Sequence, residues 1–389
     1  MNPTVSRLVV NTIARRIHQG SLRLHRPDGS ILSVEGSAPG PDAEVVIHDS
    51  RTEEALVRQG ASALGQGYVE GWWDTPDLAG FLTMAAINQD ASMSGPVGSV
   101  VKRTVSRAWD AVKPAGRDGA VETMAGHYDL GNEFYELWLD PTMTYSSGIF
   151  SDAEDLEAAQ RAKYERIAEI AGVGEGSSVL EIGFGWGGFA EHATGLGAHV
   201  TGLTISNEQL KYAEKRLASS GAMDLATLKL ADFEEEEGEY DAVVSIEMIE
   251  SIDHERWPAL FAAIARSLRP GGRAGLQTIV IDDEIWKTYR NRNDFIREYI
   301  FPGGRVPPPS LIRELAESVG LRTIGVHDFG SSYAKTLATW LREFDAAWPQ
   351  IAALGFDERF RRMWRYYLAY CEAGFNTGRI SVQQWAFRA

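Results

Sequence analysis

Apolar and polar positions alternate with two different periodicities along the chain, one typical of strands and one typical of helices. Residues 21–49 alternate short apolar runs with turn signals such as Pro27-Asp28-Gly29-Ser30, which predicts a β-hairpin. Helical spacing follows at about 52–64 and 76–88, and from about 160 onward strand-length apolar runs alternate with helical stretches. That alternation predicts a doubly wound, mainly parallel α/β sheet, which binds ligands at the carboxyl ends of its strands. The predicted strands are 177–183, 198–204, 226–230, 240–246 and 272–280, and the helices between them start near 188, 207, 255 and 309.

The chain is predicted to contain two domains. Residues 90–120 carry scattered Gly, Ser and Pro and are typical of a linker, so we place the boundary near 118. Residues 1–118 then form a smaller N-terminal α+β domain with its linker, and residues 119–389 form the larger α/β domain. Residues 282–308, rich in aromatic residues and arginine, interrupt the alternation and are predicted to be an insertion over the active site.

The strand predicted at 177–183 ends in an acid and continues into a glycine-rich turn. Glu181 is followed by four glycines between positions 183 and 188, and glycine lets a bulky ligand approach the main chain. A dinucleotide site places an acid about 20 residues beyond the glycines, at the end of the second strand. Here that strand ends in Thr204-Ile205-Ser206, without a carboxylate. The arrangement resembles the first motif of S-adenosylmethionine-dependent methyltransferases; a nicotinamide or flavin site and a ligand-free structural turn are the alternatives.

The charge and composition of the chain argue against several kinds of partner and site. The 389 residues carry a net charge of −16, so the surface as a whole should repel nucleic acid, and we expect no nucleic-acid partner. A single cysteine, Cys371, excludes internal disulfides, and the 8 histidines show no ligand spacing, so no metal site is predicted. No apolar run reaches the roughly 18 residues of a transmembrane helix, and the N-terminus lacks a secretory signal. These features favour the cytoplasm.

Binding to an anionic membrane would need a local basic patch. Residues 101–112 place valines and Trp109 on one helical face with lysines and arginines beside it, which predicts a basic amphipathic helix at a membrane surface. The alternative is a linker helix that packs on its own protein. A second candidate patch consists of Arg15, Arg16, Arg23 and Arg26.

Several ordered motifs resemble the cyclopropane-fatty-acid synthases. The resemblance covers about 120–389, and the segment 67–74 resembles the N-terminal domain of that family. It implies the methyltransferase sheet with a small lipid-binding N-terminal domain, and S-adenosylmethionine as the methyl donor to a cis double bond of a phospholipid acyl chain. The motifs are 127–135 continuing to 144–148, then 180–188, 202–206 with Gln209, 298–304, and 329–333 with Thr336 and Leu337.

The implied reaction needs a base. An alkene is a weak nucleophile that must meet the methyl group in a dry, aligned pocket, and its attack leaves a carbocation that aromatic faces can stabilise. Loss of a proton from the new methyl group closes a cyclopropane, which is the product we predict. Loss from a neighbouring carbon gives a methylene branch, the precursor of a 10-methyl fatty acid, and a separate reductase would then be needed.

The resemblance implies that this base is a bound bicarbonate. Our hypothesis is that Glu250 accepts the bicarbonate hydroxyl while Tyr333 and Ser147 donate hydrogen bonds to its oxygens. A helix-capping role for Glu250 and a packing role for Tyr333 are the structural alternatives. The residues that the resemblance assigns to the bicarbonate site are Ser147, Glu250, Gln277, Ile279 and Tyr333.

The cofactor residues implied by the resemblance lie at the ends of the first three strands and in the loop before them. Asp232 and Phe233, after the third strand, are candidates for the edge and face of the adenine. The full set is Tyr145, Ser146, Glu181, Gly183, Gly185, Gly187, Thr204, Gln209, Asp232 and Phe233.

The sequence departs from the common family pattern at the predicted bicarbonate site. Ser147 stands where many members have Cys, Gln277 where many have His, and Ser251 where His is frequent. Glu247 adds a carboxylate where many members have Gly. These changes resemble a subgroup that includes plant-type cyclopropane synthases and enzymes that make 10-methyl or 10-methylene acids.

Two other functions remain open at this point. One is methylation of a small molecule or natural product on the same fold, and the other is a non-catalytic lipid- or cofactor-binding protein with a decayed anion site. The expected partner is unsaturated phospholipid at the inner face of the membrane, with peripheral association, and a homodimer is possible.

Overall fold

The computed structural model describes residues 3–60, 62–89, 130–150, 155–292 and 294–389. The predicted helix at 101–112, the boundary near 118 and the motif residues 127–129 lie outside these ranges. Contacts divide the chain into two compact units, which are residues 1–118 with 348–377, and residues 119–347 with 378–389.

The first unit is built on a small sheet. Its four strands are β1 (Gln19–His25), β2 (Ile31–Glu35), β3 (Ala38–Ile47) and β4 (Trp73–Asp74), in the order β2-β1-β3-β4. The antiparallel pair β1 and β2 forms the predicted hairpin, with Gly29 in the turn at φ +80°. The helices are α1 (Pro3–Ala14), α2 (Arg51–Gln59), α3 (Ser62–Val69), α4 (Leu78–Ile87) and the late helix α13 (Glu358–Asn376).

Residues 348–377, which include helix α13, belong to the first unit, whereas a second domain running unbroken from 119 to 389 would contain them. The helix packs against α3 and α4 of the first unit. Arg362 anchors it, since its guanidinium donates to the Trp73 carbonyl at 2.9 Å and to Asp74 at 2.7 Å. A segment far along the sequence therefore completes the core of the N-terminal unit.

The second unit contains a seven-stranded sheet in the order β10-β11-β9-β8-β5-β6-β7. Strands β5 to β9 pair in parallel, whereas β11 lies antiparallel between β9 and β10. The strands are β5 (Ser178–Ile182), β6 (His199–Thr204), β7 (Ala226–Leu230), β8 (Tyr240–Ile246), β9 (Leu268–Ile281), β10 (Arg322–Asp328) and β11 (Ile380–Arg388).

Helices cover both faces of this sheet. One apolar cluster packs α6 and α7 against the sheet, and another packs α9 and α11 against the opposite face. This arrangement buries both faces of the central strands, as a doubly wound sheet requires. The helices are α5 (Asn132–Glu136), α6 (Leu156–Ala171), α7 (Gly188–Gly195), α8 (Asn207–Ser219), α9 (Trp257–Arg266), α10 (Asp283–Tyr289), α11 (Pro309–Ser318) and α12 (Gly330–Ala353).

The predicted fold class is confirmed, and the five predicted strands fall on β5 to β9. The main difference is at the start of β9, which begins at Leu268 rather than at 272 and shifts its register against β8 over these first residues. The interruption at 282–308 contains α10 and a π-helical turn at Ile296–Ile300. Among the helices of the described ranges, none is long and apolar enough to cross a membrane.

Candidate active site

The carboxyl ends of the parallel strands open on one cavity of about 720 Å³. Nine of the ten predicted cofactor residues line it, all except Gly187. The loop of the interruption contributes Pro302 and Gly303 to its wall. The fold thus brings together residues that are separated by more than a hundred positions in the sequence.

The glycine turn after β5 has a conformation that side chains would disturb. Gly183, Gly185 and Gly187 have φ values of +81°, +55° and +83°. A Cβ on Gly183 would lie 2.7 Å from Cγ of Met248, and a Cβ on Gly187 would lie 2.9 Å from Cβ of Ala213. No described atom approaches within 4 Å of a Cβ placed on Gly185, which lines the cavity. The turn therefore leaves its main chain open to a ligand.

Glu181, the second-last residue of β5, has an enclosed carboxyl group. The residue is 3% exposed, and its Oε2 has no hydrogen-bond partner within the described part of the chain. Burial raises the pKa of Glu181 to about 8, and the positive charge of Lys163 opposes that shift. A buried polar atom without a partner, at the wall of a cavity, suits a ligand that donates a hydroxyl group.

The next two strand ends are ordered by side-chain contacts. At the end of β6, the Thr204 hydroxyl donates to Oε1 of Gln209 at 2.9 Å, which fixes both predicted residues at the cavity wall. After β7, Asp232 accepts two hydrogen bonds from Arg256, at 2.8 and 2.9 Å. The Arg256 guanidinium also lies 4.7 Å from the ring centre of Phe233. One edge of the predicted adenine site is thus already engaged by an arginine that the sequence analysis did not name.

Lys163 is a second residue that sequence reasoning missed. It lies on α6, is fully buried, and donates from Nζ to the Ser146 hydroxyl at 2.7 Å. Burial lowers its pKa to about 7, although the charges of Glu247, Asp140 and Glu181 act in the opposite direction. A lysine within a mixed helical sequence normally lies at the surface, so no local signal predicted this position.

Three of the five residues of the predicted bicarbonate site converge on the carboxylate of Glu247. The Ser147 N–H donates to Oε1 at 2.9 Å, the Gln277 amide donates to Oε1 at 2.8 Å, and the Tyr333 hydroxyl donates to Oε2 at 2.7 Å. Glu247 follows β8 directly and lines the cavity with the cofactor residues. The Ser147 hydroxyl does not take part, because it donates to the Gly148 carbonyl at 2.9 Å.

The orientation of the Gln277 amide is set by the neighbouring strand. Gln384 of β11 donates from Nε2 to the Gln277 Oε1 at 3.0 Å, which directs the Gln277 NH₂ group toward Glu247. Burial raises the pKa of Glu247, while its three hydrogen bonds and the charge of Lys163 lower it. The hydrogen bonds thus favour the ionised form of a carboxyl group that is enclosed by protein.

Glu250 and Ile279, the remaining two predicted residues, form an adjacent pair. The Ile279 N–H donates to Oε1 of Glu250 at 2.6 Å, and the Thr278 hydroxyl donates to the same oxygen at 2.9 Å. The other oxygen, Oε2, is buried and lacks a hydrogen-bond partner among the residues that are described. Burial, followed by the charge of Glu247, raises the pKa of Glu250 to about 8. Glu247 and Glu250 are therefore neighbouring carboxyl groups with different hydrogen-bond environments.

Aromatic rings surround the predicted cofactor residue Tyr145. Its ring centre lies 5.2 Å from that of Trp340, 5.5 Å from Tyr135 and 5.7 Å from Trp138. Trp340 also meets Tyr333 edge to face at 6.0 Å. Sequence reasoning missed these tryptophans, although Trp340 lies seven positions after Tyr333 on α12 and so on the same helical face.

Comparisons with known proteins identify the family of this chain. Residues 116–385 match the family described as mycolic acid cyclopropane synthetase. The chain is 36% identical to the tuberculostearic acid methyltransferase UfaA1 of Mycobacterium tuberculosis, over 98% of this chain and 91% of that protein. It is 33% identical to the cyclopropane-fatty-acyl-phospholipid synthase of Escherichia coli K12, over 92% and 90% of the two chains.

Solved structures of the family superpose on the larger part of the chain. The cyclopropane synthase MmaA2 from Mycobacterium tuberculosis gives a TM-score of 0.65 at 29% identity, covering 69% of this chain and 98% of its own. The mycolic acid cyclopropane synthase CmaA1, solved with SAH and CTAB, gives 0.64 at 31% identity and covers 72% and 100%. The resemblance seen in the sequence is thereby confirmed. The chain belongs to the mycolic acid cyclopropane synthetase family and is an S-adenosylmethionine-dependent methyltransferase of the cyclopropane-synthase type.

Proposed function

We propose that this enzyme methylates the cis double bond of an unsaturated phospholipid acyl chain and closes a cyclopropane ring. The observation that carries the proposal is the position of Glu247, a carboxylate held by three donors on the wall of the same cavity as the glycine turn. A carboxylate there would put a proton acceptor beside the methyl donor, as alkene methylation requires. The relative from Escherichia coli, named a cyclopropane-fatty-acyl-phospholipid synthase, supports the choice of substrate.

The residues of the cavity fit S-adenosylmethionine. The open main chain at Gly185 provides space for a bulky ligand, and the unpartnered oxygen of Glu181 would accept a hydrogen bond from a ribose hydroxyl. Phe233 would contact the adenine face, and Tyr145 and Ser146 would hold the opposite end. When bound, S-adenosylmethionine supplies an electrophilic methyl group.

The protein's own side chains would support the remaining chemistry. Tyr145, which lines the cavity and packs against three buried aromatic rings, would help to exclude water and would offer its ring to a developing carbocation. The enclosed carboxyl groups would then receive a proton. Bicarbonate as the base stays a prediction from the family resemblance, because the donors assigned to it contact Glu247.

A methylene branch is the second candidate product. The similarity to a relative named tuberculostearic acid methyltransferase, at 36% identity over 98% of the chain, favours it. The methyl transfer is the same in both cases, and only the carbon that loses the proton differs. With a methylene product, a separate reductase would complete a methyl branch.

The proposed function predicts that the purified protein transfers labelled methyl groups from S-adenosylmethionine to vesicles of monounsaturated phospholipid. Mass spectrometry should show one added carbon per acyl chain, and saturated phospholipid serves as the control. Ozonolysis then separates the products, since it cleaves a methylene-branched chain and leaves a cyclopropane intact. Labelling of saturated chains, or of none, would exclude transfer to a lipid double bond.

Peripheral membrane association is part of the proposal. In the candidate patch, Arg26 is not available, because it is buried and pairs with Glu53 at 2.8 Å. Arg15 and Arg23 are exposed, and the nearby Leu8 of α1 is 66% exposed. The remaining patch therefore combines basic and apolar side chains, as an interfacial surface does.

Reversing the charges of Arg15 and Arg23 to Glu is expected to weaken binding to anionic vesicles by about 10-fold or more, since each basic residue near the surface contributes about 1 kcal/mol. Cosedimentation measures the change. The matched control reverses Arg161 and Arg342, whose side chains are 63% and 68% exposed and lie outside the patch. Equal losses in both double variants would mean that only the net charge matters.

A further inference from the structure

Glu247 takes up the hydrogen-bond donors that would otherwise hold a small anion. Its two carboxylate oxygens accept from a main-chain N–H, a side-chain amide and a phenol, contributed by the loop at Ser147, by β9 and by α12. A glutamate carboxylate and bicarbonate present the same planar pair of oxygens to such donors. The site therefore already contains, on a side chain, the chemical group that bicarbonate would supply.

The main chain at Glu247 has a strained conformation, which costs free energy of folding. Its φ is +48°, in the left-handed region that favours glycine. Residues held in this region by their surroundings cluster at functional sites. Glu247 also keeps part of its surface open toward the cavity while its carboxyl group is enclosed. A structural brace would need neither the strained main chain nor the position at the cavity wall.

We propose that Glu247 is the built-in base of this enzyme and replaces an external bicarbonate ion. The inference rests on the proposed function. The π electrons of the alkene form a bond to the methyl carbon as its bond to sulfur breaks, and a cation remains on the neighbouring carbon. The Glu247 carboxylate then removes a proton, and the electron pair of that C–H bond closes the cyclopropane or forms the methylene double bond. Glu247 is left as a carboxylic acid, which returns its proton to water after the product leaves.

The neighbouring carboxyl group is consistent with this assignment. Oε1 of Glu250 accepts from Ile279 and Thr278 while its Oε2 lacks a hydrogen-bond partner among the described residues, whereas both oxygens of Glu247 accept hydrogen bonds. Because hydrogen bonds to a carboxylate favour its charged form, Glu247 is the member of the pair prepared to act as an anion. Glu250 then carries the proton that two adjacent enclosed carboxyl groups cannot both lose.

The first test is the dependence of the wild-type rate on bicarbonate. Methyl transfer to monounsaturated vesicles is measured in buffer purged of carbon dioxide and then with bicarbonate added up to millimolar concentrations. We expect the rate to change by less than about twofold, since an internal carboxylate needs no external partner. A wild-type rate that rises severalfold with bicarbonate would overturn the inference and leave the proposed function intact.

The second test removes the carboxylate. Glu247→Gly suits the local φ and clears the space between the three donors, and its rate is expected to fall by at least about 100-fold. Added bicarbonate or formate should raise the rate of this variant at least about tenfold, because the anion can bind to the three donors that Glu247 no longer engages. Glu247→Gln should be equally slow and should not respond, since its amide still fills the space. Glu237→Gln, on an exposed loop, is the control and should retain the wild-type rate.

Cofactor binding separates chemistry from folding. Both Glu247 variants should bind S-adenosylhomocysteine with nearly the wild-type Kd. A Glu247→Gln variant that retains the wild-type rate would overturn the inference, and so would a Glu247→Gly variant that binds the cofactor but gains nothing from added anions. A wild-type enzyme that transfers no methyl group to unsaturated lipid would instead overturn the proposed function itself.

Discussion

Replacing Gly183 by valine is expected to weaken binding of S-adenosylhomocysteine by at least about 100-fold, or about 2.7 kcal/mol. The residue has φ +81°, and a Cβ there would lie 2.7 Å from Cγ and 3.1 Å from Cβ of Met248. A β-branched residue in this conformation costs about 1–3 kcal/mol, and overpacking adds a similar amount. The loop should escape this strain by moving, which would displace the main chain that faces the cofactor. Isothermal titration calorimetry measures the loss.

The matched control for this substitution is Gly195→Val. Gly195 ends α7, and no atom in the described ranges lies within 4 Å of a Cβ placed there. Its binding of the cofactor product should match the wild type. If Gly183→Val bound within about threefold of the wild type, the turn would not contact the cofactor as proposed.

Replacing Glu250 by glutamine is expected to stabilise the protein at pH 8 by about 4 kcal/mol and to change its stability at pH 5 far less. Burial and the Glu247 charge raise the pKa of Glu250 from 4.5 to about 8 in the folded state. A group with a raised folded pKa contributes stability that is fully present below its unfolded pKa. That contribution is lost as the pH rises through the folded pKa, so wild-type stability should fall between about pH 4.5 and 8. Glutamine cannot ionise, which removes this loss.

Urea unfolding at pH 5, 6.5 and 8 tests this expectation. The exposed Glu237→Gln again serves as the control. An equal change in stability at all three pH values would mean that the surroundings of the Glu250 carboxyl group do not raise its pKa.

Local sequence patterns were sufficient for the central part of the sheet. The strands β5 to β9 are short apolar runs bounded by turn signals, and their period and length suffice to identify them. The strands β10 and β11, on one side of the sheet, were not predicted, because β11 follows two long helices and pairs antiparallel, outside the alternating βα order. The return of α13 to the N-terminal unit depends on contacts with α3 and α4, which no periodicity encodes.

In the candidate site, too, residues close together in the sequence could be predicted, whereas contacts between distant residues could not. The glycine turn and Glu181 are contiguous in sequence, so one motif predicted both. The additional carboxylate of Glu247 is visible in the sequence, but it was not part of the predicted anion cluster. Its three donors come from positions 147, 277 and 333, and only the folded chain brings them to one carboxylate. Lys163 was missed for a similar reason, since its partners Ser146 and Glu247 lie on other elements.

The contact between Gln384 and Gln277 makes the active site dependent on the polarity of a remote side chain. An amide has no inherent preference for which end faces a partner, and a donor on β11 makes that choice for Gln277. If residue 384 were an acceptor, the Gln277 group would rotate and present its oxygen to the Glu247 carboxylate, turning attraction into repulsion. Substitutions at these two positions should therefore be tolerated only in compatible pairs, although residue 384 lies on a strand that contributes nothing to the cavity wall.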